Sequence, residues 1–193
     1  MKRSFIAYAV ALVALSASLA GCNGGGDPTP SPTVTSSSSS ASPSASASPS
    51  SSPSPSVSIP AEAMQQTPEG AVAFVKFYVD QINLAWTTPT AAVLPPLQTS
   101  SCNSCAGFQG DAEAYVLAGT RMVSAPASVE KVIPRDGAAP GAQFVQATIT
   151  ESVVDIVDRA GAVVDRSSAM TGTYVFAVVW GEGQWRVNGV VKE

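Results

Sequence analysis

The chain has 193 residues, 45% of them hydrophobic and 12% charged, with 10 Lys+Arg against 14 Asp+Glu, three cysteines and no histidine. Without histidine, neither a Ser-His-Asp nor a Cys-His catalytic unit can be assembled within the chain, and no imidazole can hold a metal. The acidic balance and the lack of basic clusters argue against nucleic acid as a partner, because that affinity depends on Lys and Arg neutralising phosphates.

These averages conceal three parts. Met1-Lys2-Arg3 is a short positive n-region, and Ser4 to Ala20 is an apolar run without a charge. A spanning helix needs about 20 apolar residues, so the run is short for a span and suited to a signal peptide. Leu19-Ala20-Gly21-Cys22 follows in register and resembles the bacterial lipobox, in which small residues precede a cysteine. That resemblance implies a diacylglyceryl group on the Cys22 sulfur, cleavage before Cys22 and a new amino group open to acylation. Each buried methylene contributes roughly 0.8 kcal/mol, so one acyl chain holds marginally and two hold stably. The plainer alternatives are an ordinary secretory signal with an incidental cysteine, or an uncleaved anchor. Residues 1–21 are therefore expected to be a lipoprotein signal peptide, with the mature protein on the extracytoplasmic face of the bacterial cell membrane. Removing them discards Lys2 and Arg3 and leaves eight basic against fourteen acidic residues, a net charge of −6. An anionic membrane repels such a domain, so the lipid would hold it there.

Residues 22–60 read as the lipidated cysteine plus a tether. Between Pro28 and Pro60 lie 16 Ser, 8 Pro, 3 Thr and 3 Ala, with Val34, Val57 and Ile59 and no charge. Such a segment cannot bury enough apolar area to offset its ordering entropy, and disorder is expected. Its reach runs from roughly 30 Å as a flexible coil to about 100 Å as full polyproline II. Proline-punctuated Ser/Thr tracts are also O-glycosylation substrates, and composition leaves a glycosylated stalk and a bare spacer both open.

Residues 61–193 are long enough for one core. Thr67-Pro68-Glu69 supplies a capping hydroxyl, a first-turn proline and an acid at the positive dipole end, which predicts a helix to about Trp86. Ala71, Val75, Tyr78, Ile82 and Trp86 recur on one face, with Val72 and Val79 beside them. Phe77 and Leu84 form a second stripe, to be covered by another helix or left as a docking surface. Thr88-Pro89 predicts a short helix ended by Pro95-Pro96, and Phe108, Ala112, Tyr115, Gly119 and Met122 predict a third over about Cys102 to Met122. After Pro126 the period changes. Strands are expected at Val129–Ile133, Gln143–Val157, Thr171–Trp180 and Gln184–Val191. Asp158-Arg159-Ala160-Gly161 suits a type I turn, and Gly181-Glu182-Gly183 a tight hairpin. Both alternating sets of Tyr174–Trp180 are apolar, predicting a central strand covered on both faces, whereas the last strand reads as an edge. Helices on one antiparallel sheet of four strands make an α+β domain.

A long capped helix, short helices and a curved four-strand meander ending in Gly-Gln-Trp-Arg-Val resemble the nuclear-transport-factor-2-like (cystatin-like) cone. More narrowly, Leu-Ala-Gly-Cys22, the Ser/Pro tract, Thr67-Pro68-Glu69-Gly70-Ala71, Tyr78-Val79-Asp80, Asn83 and the Cys102/Cys105 pair resemble an uncharacterised family of actinobacterial lipoproteins. That resemblance implies no activity. Many folds of this kind interleave a strand among the helices, and none is evident before Val129.

Cys102-Asn103-Ser104-Cys105 is the constellation with chemical potential. A structural disulfide is favoured, since the compartment is oxidising and two cysteines remain once Cys22 carries lipid. A redox Cys-x-x-Cys lacks the strand–helix order of a thioredoxin fold, and a closed zinc site lacks two ligands. Among the acids, Asp80 falls off the main helix face, Asp155, Asp158 and Asp165 read as solvated turn residues, and Glu151-Ser152 as a bulge or exposed position. Tyr78, Tyr115 and Tyr174 could face inward, as in cone-pocket acid–base enzymes of this superfamily. No catalytic, cofactor or metal residue is assigned. The expectation is a non-catalytic binding or scaffolding lipoprotein with a protein or cell-envelope ligand; the alternative is an enzyme, either of the cone-pocket type or a thiol oxidoreductase. A pocket filled by Tyr78, Phe176 and Trp185 favours the first, and a buried acid with a raised pKa the second.

Overall fold

The computed structural model describes residues 57–193, so the signal segment, Cys22 and most of the tether lie outside the described residues. Val57 and Ile59, counted with the tether on composition, are half-buried against the core, and a single 3-10 turn at Ala61–Met64 buries Ala63.

Helix α1 spans Pro68–Thr87. Its start follows the capping signal: the Thr67 hydroxyl accepts the Gly70 N–H at 3.0 Å, and Pro68 occupies the first helical position, where no N–H is needed. Thr88 ends it, donating its N–H to the Leu84 carbonyl. The expected face is buried, with Phe74, Asn83 and Ala85 added, while Val72 is only half-buried. Leu84 is 40% exposed, and Phe77 shares a groove with Pro60. The second stripe is therefore only partly covered. Thr88-Pro89 does not open a helix of two turns. Prolines at 89, 95 and 96 allow only 3-10 turns at Ala91–Val93 and Pro95–Leu97, which send Val93, Leu94 and Leu97 into the core.

Helix α2 spans Cys105–Ala118 and stops short of the predicted end. Gly119 adopts φ 65°, and its N–H reaches back to the Tyr115 and Val116 carbonyls, a left-handed cap that closes the helix. The apparent repeat continuing to Met122 crosses this cap. Met122 belongs to strand β1, Arg121–Met122, so a strand does precede Val129.

The strands that follow are β2 Ala127–Arg135, β3 Ala142–Glu151, β4 Asp155–Val157, β5 Val163–Arg166, β6 Met170–Gly181 and β7 Gln184–Lys192. They form two antiparallel sheets, a four-strand sheet ordered β2-β3-β6-β7 and a small one ordered β1-β4-β5. The α+β class and the four-strand sheet are those expected. The small sheet is not, because the predicted strand Gln143–Val157 breaks at Ser152–Val154 and its last three residues join the second sheet. Pro134 sits in β2, an edge strand, where a missing N–H costs no ladder bond. Between β6 and β7, Glu182 and Gly183 take φ 54° and 80°, the two-residue turn whose twist matches a hairpin. Gly161 N–H to the Asp158 carbonyl, 3.1 Å, closes the predicted turn between β4 and β5.

Strand β6 is central, but only one of its faces is closed. Phe176 and Val178 are buried, whereas Val175, Ala177 and Val179 are half-exposed. The core lies between α1, the 3-10 turns and the inner face of β3, β6 and β7. Phe74, Tyr78, Leu94, Leu97, Val145, Phe176 and Val187 are almost fully buried there, each worth about 1.5–3 kcal/mol of transfer for a side chain of Val or Leu size. No helix among the described residues is long and apolar enough to cross a membrane.

Candidate functional site

The region where a cone pocket would lie is largely filled. Tyr78 packs edge-on against Phe176 and Phe108, with ring centroids 6.4 and 6.5 Å away, and Trp185 is 3% exposed. What remains is a cavity of about 30 Å³ whose lining includes Ile82, Trp86, Phe108, Glu151, Tyr174 and Phe176. Such a volume has room for about a single water, not for an organic substrate. Trp86 Nε1 is buried without a hydrogen-bond partner among the described residues. An indole N–H left unpaired in the interior is an energetic cost to the fold.

Glu151 is the acid that sequence reasoning set aside. Of the Glu151-Ser152 pair, Ser152 is exposed as expected, whereas Glu151 is the last residue of β3 and half-buried at the edge of the cavity. The bulge in this part of the sheet lies on the partner strand, between Val129 and Lys131. Burial pushes the Glu151 carboxyl above the ordinary range, the Asp111 carboxylate pushes it further, and Lys192 pulls it partly back. Burial raises Tyr174 as well, and Glu151 adds to that effect. Tyr115 is raised by burial, then by Asp111 and Asp165. The signal in the sequence was an acid interrupting an apolar-alternating strand; its place at the strand end, opposite Met170, is set by the sheet register.

Of the tyrosines expected to face inward, Tyr78 is fully buried, while Tyr115 and Tyr174 are half-buried. Tyr78 Oη donates to Gln98 Oε1 at 3.2 Å, Gln98 Nε2 donates to Gln109 Oε1 at 2.9 Å, and Gln109 Nε2 donates to Glu113 Oε1 at 2.8 Å. This relay lets a phenol sit in an apolar core with its hydroxyl satisfied. Burial pushes that phenol well above its ordinary range, so its hydroxyl stays protonated and acts as a donor. Asp80 is exposed, as its helical position required. Asp158 turns into its own loop, its Oδ1 accepting the N–H groups of Ala160 and Ala162, both at 2.9 Å. Asp155 is not simply a solvated turn residue, since its Oδ1 accepts from Arg166 Nε at 2.6 Å across the β4–β5 ladder.

The Sγ atoms of Cys102 and Cys105 lie at bonding distance, with Cα atoms 5.3 Å apart. Cys105 opens α2, and the two residues are 6% and 1% exposed. Burial of both sulfurs denies an attacking thiolate the access that exchange chemistry requires. The segment around them is pinned to β7. Thr99 N–H donates to the Val187 carbonyl at 2.9 Å, and Val190 N–H donates to Ser104 Oγ at 2.8 Å.

No curated protein matches the sequence. Among solved structures, the fold is similar to the intermembrane space region of chloroplast protein ARC6, at 15% identity and a TM-score of 0.51 over 66% of this chain and 97% of that one. It is also similar to Aln2 from a Streptomyces species, at 16% identity and a TM-score of 0.43 over 66% and 91%. A third likeness is to an uncharacterised protein with a cystatin-like fold from Caulobacter vibrioides, at 12% identity and a TM-score of 0.41 over 61% and 84%. These likenesses concern fold, not activity. Residues 29–191 match a family of unknown function, DUF6318, and the chain belongs to that family.

Proposed function

We propose that this protein is a non-catalytic binding or scaffolding domain, held on the extracytoplasmic face of the membrane by lipid on Cys22 and carried at the end of the Ser/Pro tether. One observation supports the non-catalytic half: Tyr78, Phe176 and Trp185 fill the interior and leave about 30 Å³, where a ligand pocket needs about 300 Å³ or more. Recognition then falls to the surface. The anchored half draws on the Leu-Ala-Gly-Cys22 motif and the charge-free run before it.

In cell fractionation, wild type is expected in the membrane fraction with a mature N-terminus at Cys22 and a mass increment for acyl chains. Cys22→Ser is expected to be released or to retain residues 1–21. Unchanged attachment and processing in that variant overturn the anchor. Crosslinking on intact cells should capture a partner in wild type beyond the Cys22→Ser control; equal capture by both removes the scaffold reading. An acid–base enzyme is the second reading, and it draws on Glu151 beside Tyr174 at the cavity edge. It requires that cavity to open about tenfold to admit a substrate.

A further inference from the structure

Five arginines lie among the described residues, and three are ion-paired: Arg135 with Glu193, Arg166 with Asp155 and Arg186 with Glu182. The two without an ion-pair partner, Arg121 and Arg159, line the same groove. It has a volume of about 530 Å³ and runs between the end of α2, strand β1 and the β4–β5 turn. Neither guanidinium is used up by the fold. Arg159 makes no hydrogen bond among the described residues, and Arg121 makes one long contact, from Nη1 to the Met122 carbonyl at 3.5 Å. Asp158 also lines the groove; its Oδ1 accepts two N–H groups of its own turn, and its negative charge offsets one of the two guanidiniums. The seat of Arg159 is built by Gly119, where a Cβ would come within 2.6 Å of Arg159 Nε. The left-handed glycine that ends α2 therefore leaves the space that this guanidinium occupies.

With Asp158 in the same lining, the two guanidiniums leave the groove a net positive charge of one, which favours an anion there. Their planar forks match the oxygens of carboxylates and phosphates. A single carboxylate pairs with one guanidinium fork; a phosphate has enough acceptor oxygens to engage both. The groove is also continuous with an apolar one. Pro89 and Val116 line both, and the second carries Leu117, 86% exposed, with Ala91 and Ala92. We infer that Arg121 and Arg159 bind the phosphate group of a compound whose apolar part lies along Pro89, Val116 and Leu117. This deepens the binding-domain reading by naming a ligand chemistry, and it does not depend on the lipid anchor. Phosphate on a soluble compound and phosphate in a lipid headgroup are the two sources of that chemistry.

The test is arginine footprinting with phenylglyoxal on the full chain in neutral detergent, read peptide by peptide. Inorganic phosphate is expected to slow modification of Arg121 and Arg159 together by several-fold, leaving Arg135 and Arg166 unchanged as internal controls. Hexyl phosphate should act at lower concentration, and succinate weakly. Arg121→Gln should abolish protection of Arg159 with the melting temperature unchanged, and Arg159→Gln should do the converse. Protection by vesicles of phosphatidylglycerol in phosphatidylcholine, beyond phosphatidylcholine alone, assigns a lipid headgroup. Protection by hexyl phosphate without that vesicle effect assigns a soluble phosphate. No protection, equal slowing at all five arginines, or succinate matching phosphate overturns the site. None of these outcomes alters the Cys22→Ser fractionation result, so the two ideas fail separately.

Discussion

Asn83 and Ala127 exchange two hydrogen bonds: Asn83 Nδ2 donates to the Ala127 carbonyl at 2.8 Å, and the Ala127 N–H donates to Asn83 Oδ1 at 3.0 Å. A primary amide carries donor and acceptor in the same arrangement as a peptide group, so α1 pairs with the first residue of β2 as a neighbouring strand would. Asn83 is the buried polar side chain of this core, 7% exposed. Asn83→Ala removes both bonds and leaves the part-buried N–H and carbonyl of Ala127 without these partners. The expected loss is about 2–4 kcal/mol in urea unfolding. A loss below about 0.5 kcal/mol would mean that water replaces the amide.

Gly70 is required for space. A Cβ on it would lie 2.0 Å from the Gln65 carbonyl oxygen, and that oxygen accepts the Trp185 Nε1–H at 2.8 Å. Gly70→Ala should displace the carbonyl and free the indole, costing about 1–3 kcal/mol as overpacking does. Tryptophan fluorescence should shift in the native state. Unchanged emission with unchanged stability would show that the turn at Gln65 yields without cost.

Much of this architecture was legible because its signals are local. Thr67-Pro68-Glu69 marked the first residue of α1, and the turns at Asp158–Gly161 and Glu182–Gly183 were marked by residues that favour them. The missing parts depend on long-range partners. Gln143–Val157 reads as one strand, and only the pairing of Asp155–Val157 with Arg121–Met122 and with β5 divides it. The polar environment of Glu151 is likewise set by Asp111 on α2 and Lys192 on β7, far away in sequence. Arg121 and Arg159 come from β1 and the β4–β5 turn, so no spacing rule joins them.

The Cys102–Cys105 bridge closes so short a loop that chain entropy gives it about 2 kcal/mol. Reduction should therefore lower the melting temperature by several degrees without unfolding the domain at 25 °C. Alkylation of the native, unreduced protein should leave both residues unlabelled. Rapid exchange with a dithiol donor would instead make the pair a redox centre.

Glu151 has a folded-state pKa raised chiefly by burial. For an acid raised on folding, the stabilising contribution is full below its unfolded pKa and is lost as pH rises through the folded value. Glu151→Gln should therefore melt higher than wild type at pH 7, by up to a few degrees, and the difference should vanish below about pH 4, the ordinary range for glutamate. Glu151→Gln melting below wild type at pH 7 would show that the carboxylate is held by a favourable contact.

A four-strand sheet offers two rows of unpaired backbone groups to any neighbouring chain, and here the rows are treated differently. On β2, the kink between Val129 and Lys131 and the proline at 134 interrupt the row. On β7, Thr99 and Ser104 already occupy positions that a foreign strand would take, held by the cysteine-bridged turn between them. Opening that turn would uncover a template for intermolecular pairing. Wherever copies of this domain meet at high concentration, the bridge would matter more for keeping neighbours apart than for keeping the core together.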